Sequence, residues 1–98
     1  MNMQNLMAQA QKMQRDIQKK KEEIDQTIFT GKSEMVEVEY NGKKEMVSIK
    51  ITAENLESDD LEILEDMILL ASKDAIQKID QEIETKLGSL GAGLGGLF

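Results

Sequence analysis

The sequence predicts an α+β domain in the order α-β-β-β-α: a long N-terminal helix, a three-stranded antiparallel sheet and a long C-terminal helix. Three observations carry this prediction. Apolar residues recur at steps of three and four from Met3 to Ile24. Between Val36 and Ile51 they alternate with polar ones, and from Leu61 to Ile83 the helical spacing returns. Residues 1–87 are expected to form one domain and 88–98 a flexible glycine-rich tail.

The first helix follows from a heptad-like seam of Met3, Leu6, Ala10, Met13, Ile17, Lys20 and Ile24, polar only at Lys20. Gln, Lys, Glu and Ala fill the other faces, and no Gly or Pro interrupts them. From Gln4 to about Asp25 such a helix is roughly 33 Å long, at 1.5 Å per residue.

The next segment, Gln26-Thr27-Ile28-Phe29-Thr30, is β-prone, and Gly31-Lys32-Ser33 reads as a turn. Val36, Val38 and Tyr40 alternate with Glu37 and Glu39, and Asn41-Gly42 signals a hairpin. A two-residue turn there sets Val36 opposite Val47 and Glu39 opposite Lys44, with the apolar residues of both strands on one face. The result is a meander with one wet face.

Ser58 reads as the N-cap of the second helix, with Asp59, Asp60 and Glu62 at the positive end of its dipole. Its main stripe is Leu61, Leu64, Ile68, Ala71, Ala75, Ile79 and Ile83. Ile63, Met67 and Leu70 widen the first half, and Gly88 is a natural stop. Strands of about six residues span roughly 20 Å, less than either helix. Apolar surface therefore remains uncovered; a second copy of the chain is the expected partner, the alternative being that the two helices pair back-to-back within one chain. Leu6, Met13, Ile17, Ile63, Met67 and Leu70 are the candidate residues for the core and dimer seam.

Composition excludes much chemistry. With no Cys and no His, the chain forms no disulfide, no imidazole or thiolate metal site and no Ser-His-Asp or Cys-His nucleophile. The acidic runs Glu22-Glu23-Asp25, Asp59-Asp60-Glu62 and Glu65-Asp66 read as helix ends and solvated faces, and none has calcium-loop spacing. Thr30-Gly31-Lys32-Ser33 carries the end of a phosphate-binding loop. However, the required upstream glycine is Gln26, and a strand rather than a helix follows. The expectation is a protein without catalytic residues, metal, cofactor or small-molecule substrate. The longest apolar run, Met67 to Ala71, is far short of a membrane span, and no leader pattern opens the chain, so a cytoplasmic location is expected.

Charge supplies the functional lead. The net charge is −7, but residues 1–21 hold five basic side chains against one acidic, whereas 51–87 hold three against eleven. On a helical wheel Lys12, Arg15 and Lys19 fall within roughly 60° of one another, about 155° from the centre of the seam. Lys21 lies nearby on another face. Two such stripes in a dimer would straddle a phosphate backbone, electrostatically and with little sequence preference. No aromatic residues accompany them, so stacking on single strands is not expected.

Several segments together resemble one family. Residues 3–14 (Met-Gln-Asn-Leu-Met-Ala-Gln-Ala-Gln-Lys-Met-Gln) look like the first helix of the YbaB/EbfC nucleoid-associated proteins. Thr30 to Ser33 followed by Val36-Glu37-Val38-Glu39-Tyr40-Asn41-Gly42 resembles their sheet. Asn55 to Asp66, Ala71 to Ala75 and the Gly-Leu-Phe ending resemble their second half. The resemblance implies a tweezer-like homodimer binding double-stranded DNA in the bacterial nucleoid, without catalytic residues. It implies DNA contacts on the helical arms, for which Lys12, Arg15, Lys19 and Lys21 are the candidates here. The other reading of the residues is a protein-interaction or chaperone-like coiled-coil module, similar in plan to prefoldin.

Overall fold

A computed structural model describes residues 2–91. The order is α1 (Met3–Gln26), β1 (Phe29–Ser33), β2 (Val36–Tyr40), β3 (Met46–Ile51), a 3-10 turn (Ser58–Asp60) and α2 (Leu61–Gly91). This is the α-β-β-β-α architecture that the alternating periodicities predict. Asn2 starts α1 by accepting the Gln4 N–H on its side chain at 3.0 Å. At the other end the Thr27 hydroxyl donates to the Glu23 carbonyl at 2.7 Å.

The three strands form one antiparallel sheet in the order β1-β2-β3. Helix α2 lies across β1 and β2, and the core between them is Phe29, Val36, Val38, Tyr40, Met67, Ala71, Ala75 and Ile79. Ile24 of α1 and Leu87 of α2 continue that core beyond the sheet.

Gly31 is not in a turn but inside β1, paired with Val38; the turn is Glu34-Met35, with Glu34 at φ 43°. The glycine is required by packing. A Cβ at Gly31 would sit 2.0 Å from the Ala71 carbonyl oxygen and 2.7 Å from the Ala75 nitrogen. Around this contact α2 grips the strand. Lys78 Nζ donates to the Thr30 carbonyl at 2.6 Å, and the Lys32 N–H donates to Asp74 Oδ2 at 3.1 Å. The edge of β1 is thereby blocked to further strands.

The second hairpin also differs from the two-residue turn. Val36 pairs with Ile51, Val38 with Ile49 and Glu39 with Ser48, with a bulge before the Tyr40–Met46 pair. The connection is a loop over residues 41–45, held by Asn41, whose Oδ1 accepts from the Lys43 and Glu45 N–H groups at 2.9 and 3.1 Å. Lys44, not Gly42, takes the positive φ (65°). Gly42 is instead buried against α1, where a Cβ would lie 2.0 Å from the Ile24 carbonyl oxygen. The new register is displaced by four residues, an even number, so Ile49 and Ile51 still share a face with Val36 and Val38. Glu39 meets Ser48 at 2.8 Å, and Lys44 pairs with Asp80 of α2 at 2.9 Å.

Two helix ends are corrected as well. Ser58 opens the 3-10 turn rather than capping α2; the Asp60 carboxylate accepts the Glu57 N–H at 3.1 Å and fixes that entry. At the far end α2 runs through Gly88 to Gly91, with Leu87 fully buried just before the expected stop. The remainder of the expected tail, 92–98, lies outside the described residues.

Candidate nucleic-acid interface

The fold sets α1 partly free of the body. Ile24 is buried and Ile17 packs at the edge of the core, but Met3, Leu6, Met7 and Met13 are exposed, Met3 at 75%. The described residues measure 70 × 20 × 16 Å, an elongated body for so short a chain. The first half of α1 is an arm, and its seam meets no cover from the sheet or α2 among the described residues.

The cations follow from that geometry. Lys12, Arg15 and Lys19 are all exposed, and no ion pair among the described residues involves them. They rise along one side of the arm over seven residues, about 10 Å at 1.5 Å per residue. Lys21 differs: it is half-buried and engaged within the chain. The stripe therefore consists of three of the four expected cations.

Sequence reasoning placed Lys20 in the seam, but it stands exposed beside a shallow depression lined by Gln9, Lys12, Met13, Asp16 and Lys20. Its signal was present as the one cation in an otherwise apolar row. At the base of the arm the sign reverses. A depression there is lined by Glu22, Asp25 and Glu45 against the one cation Lys43, together with Gln26 and Asn41. Phosphate is disfavoured at that point, so the basic surface ends with the arm.

The seam residues separate into two groups. Met67 is buried in the core and Ile17 packs against it, whereas Leu6 and Met13 on the arm and Ile63 and Leu70 on α2 are exposed. Beside α2 the sheet is also uncovered. Ile49 and Ile51 are 44% and 40% exposed, while their partners Val38 and Val36, under the helix, are at 0% and 1%.

No group of acidic residues that could hold a metal ion occurs among the described residues, and no helix there is long and apolar enough to cross a membrane.

Comparison with known proteins points the same way as the arm. Residues 1–94 match the YbaB/EbfC DNA-binding family. The chain is 42% identical to a nucleoid-associated protein of Chloroflexus aurantiacus, with the whole of both chains aligned. It is 35% identical to one of Ligilactobacillus salivarius, covering 99% of this chain and 95% of the other. A nucleoid-associated protein of Streptococcus suis is 41% identical over 91% of this chain and 92% of its own.

Proposed function

This chain belongs to the YbaB/EbfC DNA-binding family, and on that premise we propose a non-enzymatic, nucleoid-associated homodimer that binds double-stranded DNA weakly through its arms. One observation carries the reading: Lys12, Arg15 and Lys19 are exposed on one side of a projecting helix in an otherwise acidic protein. Lys20 is exposed on the seam side of the same helix rather than in this stripe, and Lys21, already engaged, contributes least. Cations on a rigid helix contact phosphates without reading bases, so binding is expected to depend on salt more than on sequence.

The dimer rests on apolar surface. The open face of β3 with Ile49 and Ile51 lies one strand beyond α2, which packs on β1 and β2 and whose flanks expose Leu61, Ile63, Leu69 and Leu70. A second copy seated there buries both and leaves the arms projecting. Three cations on each of two arms give about six phosphate contacts. Affinity then falls roughly a thousandfold between 50 and 200 mM salt, and retardation of duplex DNA is lost near the upper figure.

The test is reversal of charge, with Lys12→Glu, Arg15→Glu and Lys19→Glu combined. The variant is expected to lose duplex binding at low salt and to keep the parent's mass and circular dichroism. Binding equal to the parent's contradicts this assignment. The exposed Met3, Leu6, Met7 and Met13 favour a second reading, a protein-interaction module, which a pulldown of protein without nuclease-sensitive DNA would support.

A further inference from the structure

The row that carries Lys12, Arg15 and Lys19 continues toward the tip of the arm without charge. At 100° per residue, Asn5 and Ala8 extend it at the same steps of three and four, and Gln4 lies beside them. All three fall within roughly 55° of the centre of the cation stripe. We propose that this uncharged extension enters the major groove of the duplex and favours A·T pairs, with Gln4 and Asn5 on adenine and Ala8 on the thymine methyl. The proposal rests on the DNA-binding reading and adds base preference to it.

The tip is free to make such contacts. Every residue from 2 to 11 is exposed. The Asn2 side chain is held as the cap of α1 by the Gln4 N–H. Among the described residues, nothing hydrogen-bonds to the side-chain amides of Gln4 and Asn5. A helix with its side chains is about 10–12 Å across, and the major groove is about 12 Å wide. From Asn5 to Lys12 is about 10 Å of helix, and from Lys12 to Lys19 about 10 Å more. Cations on the phosphates therefore fix the orientation of the arm, while the turns beyond them meet base edges.

Side-chain chemistry selects the bases. Guanine is read by Arg or Lys and cytosine by Asp or Glu, and residues 2–11 contain none of these. They are amide or apolar throughout. An amide pairs with N6 and N7 of adenine, and a small apolar side chain packs on the thymine methyl. A surface serving phosphates alone gains from cations along its whole length, yet here they stop at Lys12 on an arm exposed well beyond it.

Fluorescence anisotropy of the full-length protein at low salt tests this, with two duplexes of equal length that differ in an A·T or a G·C core. The A·T duplex is expected to bind about fivefold tighter or more, the low end for one amide–adenine pair. Combining Gln4→Ala and Asn5→Ala is expected to bring the two affinities together and leave the salt slope unchanged, since no phosphate contact is lost. Alanine is the stronger helix former, so the arm keeps its structure. Adenine lacking N7 is expected to weaken binding by the parent but not by the double variant. Uracil in place of thymine removes only the methyl group and is expected to weaken both, because Ala8 is retained.

Equal affinity of the parent for the two duplexes overturns the proposal and leaves the DNA-binding reading standing. No binding to either duplex overturns both. An A·T preference that persists in the double variant gives the readout to other residues, and one that ignores both modified bases gives it to the minor groove; each result overturns the proposal.

Discussion

At Gly31 the missing side chain lets α2 lie directly on β1. Its Cβ would meet the backbone of Ala71 and Ala75 rather than a side-chain tip, so no rotamer change can make room. Gly31→Ala is therefore expected to destabilise the fold by about 2–3 kcal/mol, the upper end for overpacked cores. For a domain of this size that lowers Tm by about 10 °C or more in thermal unfolding. An unchanged Tm would mean that α2 can lift from the strand at little cost. Gly42, against Ile24, makes the same demand at the joint between the sheet and α1. Neither demand was legible in the sequence, where both glycines read as turns. What they accommodate lies 40 and 18 residues away, beyond the reach of local pattern. On the arm the reverse held. Lys12, Arg15 and Lys19 fall on one side by helical period alone, so their grouping was legible. The exposure of Lys20 was not, because it depends on where the body stops covering α1.

The elements themselves were legible because each imposes its own spacing, 3.6 in α1 and α2 and 2 in β2 and β3. Register was not, since it depends on a loop closed by Asn41 side-chain bonds and on a bulge, neither of which alternation encodes. The four-residue displacement nonetheless keeps Ile49 and Ile51 on the helix side of the sheet, and it is this face that the proposed dimer uses. Both residues are already exposed in the single chain, so replacing them costs the monomer little. Ile49→Glu with Ile51→Glu is expected to halve the mass seen by light scattering and leave the circular dichroism unchanged. A variant that stays dimeric would place the interface elsewhere, with the flank of α2 that carries Ile63 and Leu70 as the next surface to substitute.

The whole molecule combines a basic arm with an acidic body. Residues 1–21 hold five cations against one acid, residues 51–87 eleven acids against three cations, and the chain carries −7 overall. The proposed dimer would double that total, so its far field would repel DNA while its arms would attract it at short range. Screening weakens both, and within about 10 Å at 0.1 M salt only the arms act. Binding on this account is weak, confined to the arms and steeply dependent on salt. The most direct measurement is a titration of duplex binding from 20 to 200 mM salt, with mass determined on the same samples. The account predicts a dimer throughout and a log–log slope near −5, from about six contacts at −0.9 each. The Lys12, Arg15 and Lys19 triple reversal should abolish the binding. No binding at 20–50 mM salt, or binding that is insensitive to salt, would contradict it.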